Sequence, residues 1–188
     1  MKGDLPDVKG CKELLASNVV DEENHDIALN FAAAAHGVSP KFEKEAAHIC
    51  KTWLELDRHP VLKAVVLERS VFFVLLPIFR FLGDTGLRTT SADISRDEQV
   101  HVATNSLIHK EMGLEISPGL DKLRKATINW VMQPLSVSNP DKFLNRKFWT
   151  DSSDRLMYEG KAPELSFTKA ARMPSFFEHN NVNLPSYA

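Results

Sequence analysis

The sequence SRDEQVH, residues 95–101, contains Glu98 and His101 at a spacing of three. In an α-helix this spacing puts both side chains on one face, so both can reach a single metal ion. A second pair with the same spacing, Glu22 and His25, lies much earlier in the chain. The two pairs predict a helical protein with metal ligands on at least two helices.

Helical periodicity indicates that both pairs point into the protein. Glu22 and His25 share a face with apolar residues, whereas nearby polar residues fall on another face. The apolar residues are Leu15, Leu29 and Ala32, and the polar ones are Glu23, Asp26 and Asn30. The second pair aligns with Ile94 and Ile108, although Asn105 interrupts that stripe. Buried carboxylates and histidines need compensation, and a bound cation provides it.

Two other glutamates test this reasoning. Glu45 and His48 also have the required spacing, but they fall beside the apolar stripe of their helix, so we expect them to be solvated. Glu68 stands alone in a strongly apolar helix and is a candidate single ligand, with an ion pair to an arginine as the alternative. Mixed carboxylate and imidazole ligands suit iron or manganese better than structural zinc.

Composition favours one domain and disfavours some functions. The chain has 188 residues, 43% of them hydrophobic, and a net charge of -2, which offers no basic surface for nucleic acid. Cys11 and Cys50 form no C-x-x-C motif, so a reduced cytoplasmic setting is the simplest expectation. Charged residues and Pro77 interrupt the apolar run 61–82, which argues against a membrane span.

Apolar periodicity and proline and glycine positions predict six helices and little or no sheet. The expected helices cover about 11–36, 40–57, 60–83, 92–112, 120–135 and 140–158, the last two each introduced by proline. The fold class is therefore all-α, a helical bundle. We expect one domain over residues 1–160, followed by an extended or flexible tail over 161–188, where prolines break any periodicity.

Several segments, in matching order, resemble the class I ribonucleotide reductase small subunit of the ferritin-like superfamily. Residues 95–101 resemble its Arg-Asp-Glu-x-x-His motif, and Glu68 followed by Phe72 resembles its segment with a ligand glutamate and a phenylalanine one turn later. Residues 148–158 are similar to its late helix, and SFFE at 175–178 resembles its Asn-Phe-Phe-Glu element. The resemblance covers about residues 12–180.

This resemblance implies a ferritin-like bundle with two iron or manganese ions. The implied metal ligands are Glu22, His25, Glu68, Glu98 and His101. It further implies that Asp97 orients a ligand histidine and joins a radical relay. In that family the small subunit activates oxygen at two metals and passes a one-electron oxidant to a large catalytic subunit, which reduces ribonucleotides.

The chain departs from the family at two points. The family has a further carboxylate ligand on an earlier helix, and too few residues precede Glu22 here to form that helix. A separate polypeptide, a truncated reading frame or a site rebuilt by dimerisation would each explain this. The family's radical tyrosine corresponds to Leu29, so the metals themselves are the better candidate for radical storage, with Tyr187 as a candidate relay residue.

Three readings of the function follow. The first is a radical-generating ribonucleotide reductase subunit that works with a large subunit. The second is a free-standing di-iron oxidase or oxygenase, which would need an open apolar channel to the metals. The third is an inactive truncated or split fragment. Because the helix at 60–83 is apolar on nearly every side, we also expect a homodimer that covers exposed apolar surface.

Overall fold

The computed structural model describes residues 5–6 and 8–161, and within these it is an all-α bundle without strands. Six helices follow in order: α1 Cys11–His36, α2 Pro40–Glu55, α3 over 60–82, α4 Thr85–Glu111, α5 Pro118–Val131 and α6 Arg146–Glu159. A short 3-10 turn, Lys142–Leu144, precedes α6. No helix in these ranges is both long and apolar enough to cross a membrane. The all-α prediction is confirmed, and the expected tail falls almost entirely outside the described residues.

Two predicted helix starts are wrong, because side chains cap these helices where the apolar pattern gives no signal. Helix α4 begins at Thr85 rather than near Ala92, since the Asp84 carboxylate accepts a hydrogen bond from the Leu87 amide. The connection between α3 and α4, predicted to span residues 83–91, is therefore a tight turn at residues 83–84. Likewise α6 starts at Arg146, where the Asn145 side chain caps it, rather than at a proline.

Helix α3 is the central helix of the bundle. It contributes buried side chains to all three apolar clusters of the core, for example Val71, Val65 and Val66. Other helices of the same chain therefore cover much of its apolar surface, and the expected homodimer stays a prediction. Apart from Leu82 at the end of α3, the exposed large apolar side chains of the described residues lie on other parts of the chain, among them Ile27 and Phe31 on α1.

The middle of α3, Leu67–Phe72, is a π-helical segment between the α-helical segments Pro60–Val66 and Phe73–Leu82. Such wide turns are rare in helices generally, and many of those that occur lie at functional sites. Arg124 of α5, which is 1% exposed, holds this segment in place. Its guanidinium donates to Ser70 in the π segment and to Ser153 on α6, and it pairs with Asp121 and Asp154.

Candidate metal centre

Helices α1, α3 and α4 bring four of the predicted ligands into one cluster. Ligand atoms of Glu22, Glu68, Glu98 and His101 all lie within 4.8 Å of one another. Glu68, Glu98 and His101 are buried, while the Glu22 side chain is 44% exposed. This group could hold a metal ion, and it faces solvent only on the Glu22 side.

The fifth predicted ligand, His25, lies at the edge of this cluster. Its Nδ1 is 3.5 Å from Glu22 Oε2 and 3.6 Å from Glu98 Oε1. The two imidazole rings, of His25 and His101, are 5.9 Å apart between centroids. Glu22 and Glu98 thus lie between two histidines, and the five residues form two overlapping ligand sets that share both carboxylates.

Each histidine is held by an aspartate from the opposite helix. Asp97 of α4 lies 3.0 Å from Nε2 of His25 on α1. Asp21 of α1 lies 3.1 Å from Nε2 of His101 on α4. In both cases the aspartate directly precedes the glutamate of a Glu-x-x-His pair. The pattern Asp-Glu-x-x-His occurs twice, and its aspartates are exchanged between the two helices.

These hydrogen bonds determine which ring nitrogen faces the cluster. A carboxylate accepts, so the Nε2–H groups of His25 and His101 donate, and in the neutral rings Nδ1 carries a lone pair. Nδ1 of His101 lies 3.2 Å from Glu22 Oε1, so two acceptors face each other there. A proton or a metal ion between them removes this conflict.

Three buried atoms of the cluster lack any hydrogen-bond partner within the described part of the chain. They are Nδ1 of His25 and both carboxylate oxygens of Glu98, whose residue is 1% exposed. Buried polar atoms are rarely left unpaired in folded proteins. Nδ1 of the neutral His25 ring and both oxygens of an ionised Glu98 carboxylate are acceptors, so a cation is the partner that suits them together. The residues therefore fit a bound metal.

The electrostatics of the metal-free cluster point the same way. Burial, and after it the neighbouring carboxylates of Glu22, Glu68, Asp97 and Asp21, together raise the pKa of Glu98 to about 8. Burial also raises the pKa of Glu68, which Asn105 opposes by hydrogen bonding. Like charges at this separation disfavour ionisation, whereas a divalent cation would reverse that preference.

Asn105 fixes the orientation of Glu68. Its amide nitrogen lies 2.9 Å from each carboxylate oxygen of Glu68, and both residues are buried. Glu68 comes from the π segment, and Asn105 lies one turn after His101 on α4. Asn105, which interrupts the apolar stripe of α4, is therefore the hydrogen-bond partner of Glu68 on α3. The alternative, an ion pair between Glu68 and an arginine, is wrong.

Asp21 and Asn105 were not recognised from the sequence. The signal for Asp21 was present, because an aspartate precedes the glutamate in both inward pairs. Glu45 lies on α2, away from the cluster, where its carboxylate accepts a hydrogen bond from Trp130, and His48 is exposed. Tyr187 and the SFFE element lie outside the described residues.

An apolar cavity of about 210 Å³ reaches the cluster. Its polar lining residues are Glu22, His25, Asp26 and Glu98. Its apolar lining includes Leu29, Phe72, Leu76, Phe79 and Ile94. Leu29 therefore contributes an apolar wall beside His25.

Comparison with known proteins found no family model, no curated protein and no solved structure that matches this chain.

Proposed function

We propose that this chain is a ferritin-like dimetal-carboxylate protein and acts as a ribonucleotide reductase small subunit. The observation that carries the proposal is the exchanged pair of Asp-Glu-x-x-His segments, which turns both Nδ1 atoms toward shared carboxylates. Bound iron or manganese would supply oxygen activation and one-electron oxidation. A large catalytic subunit would then use that oxidant to reduce ribonucleotides to deoxyribonucleotides.

The two overlapping ligand sets support unequal binding of two ions. The set around His101 has three carboxylates and one imidazole, whereas the set around His25 has one imidazole and the two shared carboxylates. More ligands and more negative charge favour the His101 position. Asp21 and Asp97 add negative charge behind the two imidazoles, because each aspartate carboxylate is hydrogen-bonded to Nε2 of one histidine.

Asp97 is also suited to pass charge between the site and the surface. It holds the buried ring of His25, yet its own side chain is 46% exposed. A carboxylate in that position can accept the ring proton as the charge on the imidazole changes. This supports a relay role for Asp97, with Tyr187 of the tail as the proposed continuation toward the large subunit.

Metal titration tests the metal site directly. Chelator-stripped protein is titrated with Mn²⁺ without oxygen, and free Mn²⁺ is measured by electron paramagnetic resonance. We expect one ion to bind well before a second, and Glu68→Gln to weaken the first step by roughly 10-fold or more. Glu45→Gln is the matched control, because it removes the same charge from the Glu-x-x-His pair on α2. Equal effects of the two substitutions would exclude the proposed ligand set.

Activity with the large subunit tests the rest of the proposal. The metal-loaded chain should support ribonucleotide reduction only when that subunit is present, and Asp97→Asn should lower the rate while leaving the first metal bound. Full metal loading without any reduction, under conditions where an authentic small subunit is active, would argue against this function but not against the metal site.

The apolar cavity favours a second candidate, a free-standing oxidase or oxygenase. Through this cavity a small apolar molecule could reach the carboxylates that would hold the metals, as such an enzyme requires. Leu29→Trp, which fills that cavity, separates the two functions. Loss of oxygen-dependent turnover of a small apolar substrate in this variant, with metal binding retained, would favour the oxidase.

An open apolar surface beside the cluster supports a helix supplied by another polypeptide. Leu15 and Val19 of α1 line a cavity of about 390 Å³ there, together with Glu22 and Glu68 of the cluster, and the side chain of Val19 is exposed. A further helix packed on this surface could bring the fourth carboxylate to the Glu22 side. Without it, we expect the isolated chain to form no persistent radical after exposure to oxygen.

A further inference from the structure

A further cavity, of about 490 Å³, is lined by the residues that directly follow Glu68 and Asn105 in the sequence, and not by that pair itself. Arg69 of the π segment is on one side, and Ser106, His109 and Lys110 of α4 are on the other. Three of these four side chains can carry positive charge, and the fourth offers a hydroxyl. None of them belongs to the metal centre.

Two atoms in this cavity are buried and lack a hydrogen-bond partner within the described residues. They are Oγ of Ser106 and Nε2 of His109. A helical serine commonly donates to the carbonyl one turn earlier, but Ser106 does not. The cavity therefore contains polar groups from one helix face that lack a hydrogen-bond partner, and a ligand rich in acceptor oxygens would satisfy the serine hydroxyl and an Nε2–H of the histidine.

The charges of the cavity also favour an anion. Neither Arg69 nor Lys110 forms an ion pair within the part of the chain that the structure describes. The lining contains one carboxylate, that of the exposed Glu115. A guanidinium offers paired N–H groups that match two oxygens of a phosphate, and hydroxyl and imidazole N–H groups can bind the remaining oxygens.

We propose that this cavity binds a phosphate group through Arg69, Ser106 and His109. The proposal does not depend on the metal centre or on the proposed function. It does give the two sites a physical connection, because Arg69 directly follows Glu68 and Ser106 directly follows Asn105. A phosphate joining Arg69 to Ser106 would tie together the same two helices that the Glu68–Asn105 hydrogen bonds join.

Calorimetric titration of the full chain with inorganic phosphate tests the proposal. Chelator-treated, metal-free protein is used, so that phosphate cannot bind through a metal ion. We expect saturable binding of one phosphate, and Arg69→Gln should weaken it by ~10-fold or more, the loss of one charge-assisted hydrogen-bonding group. Lys44→Gln on α2 is the matched control, since it removes one exposed positive charge that does not line the cavity.

Two further variants keep the test decisive if Arg69→Gln fails to fold. Ser106→Ala should weaken phosphate binding, while Glu115→Gln should strengthen it by removing the repulsive carboxylate. A second titration with adenosine monophosphate distinguishes free phosphate from a phosphate ester, because tighter binding of the ester would show that the cavity holds more than the phosphate group. Absence of saturable phosphate binding, or equal effects of Arg69→Gln and Lys44→Gln, would overturn the proposal.

Discussion

Replacing Asp21 or Asp97 by asparagine should weaken the metal position that contains the histidine on the opposite helix. The position that contains the histidine of the same Asp-Glu-x-x-His segment should be less affected. Asp97 is a neighbour of Glu98 in the chain, yet it holds His25 of α1, and Asp21 holds His101 of α4. We therefore expect Asp21→Asn to weaken the position that contains His101. Asp97→Asn should weaken the position that contains His25.

The size of the effect follows from the contacts and their exposure. Partners of metal-bound histidines typically contribute 10–100-fold to metal affinity, or about 1.4–2.8 kcal/mol. The side chains of Asp21 and Asp97 are 37% and 46% exposed, so water screens part of their charge. Asparagine can still accept the ring N–H through its amide oxygen. A loss near the lower limit, ~10-fold, is therefore expected for each substitution.

A two-step Mn²⁺ titration followed by electron paramagnetic resonance can assign each effect to a position. Glu68→Gln identifies the step that involves His101, because Glu68 belongs only to that set. His25→Ala identifies the other step. The reasoning is refuted if Asp97→Asn reproduces the change caused by Glu68→Gln. Asp97 would then act on the position that contains His101, which lies in its own sequence segment, and not on the position of His25. Unchanged titrations for both aspartate variants would equally exclude the exchanged hydrogen bonds as metal-supporting contacts.

Three further predictions concern stability and assembly. Because burial raises the pKa of Glu98 from 4.5 to about 8, the folded metal-free chain retains a proton that the unfolded chain has lost over this range. Its free energy of unfolding should fall by a few kcal/mol between about pH 4.5 and pH 8, and urea titrations of Glu98→Gln should lack that component. Asn105→Leu should lower the free energy of unfolding by ~1–3 kcal/mol at neutral pH, as measured by the same titrations, because it leaves the buried carboxylate of Glu68 unpaired. The chain should sediment as a dimer, and Phe31→Glu on the exposed apolar face of α1 should shift it to a monomer. A wild-type chain that sediments as a monomer at micromolar concentration would contradict this prediction.

Local pattern was sufficient for much of the fold. The spacing of apolar residues in α1, with the glycine after it, predicted both helix ends, Cys11 and His36. The C-terminal end could be predicted because Gly37 adopts a positive φ of 74°, which favours glycine. The same periodicity placed Glu22 and His25 on the inner face and Glu45 with His48 away from the site. Helix faces follow from residue spacing alone, so they can be predicted from one sequence.

Contacts between helices could not be predicted in this way. The spacing of Glu22 and His25 fixes the face on which they lie, but not which side chain of α4 stands opposite. The exchange of Asp21 and Asp97 depends on how α1 and α4 pack against each other.

The sequence by itself thus determined an all-α chain with two inward Glu-x-x-His pairs and a lone buried glutamate. Only the tertiary structure decided that Asn105 holds Glu68, that α3 widens into a π segment there, and that Arg124 fixes this segment from α5. The physical reason is that hydrogen bonds between distant helices depend on their relative rotation and translation, which the packing of the whole core sets.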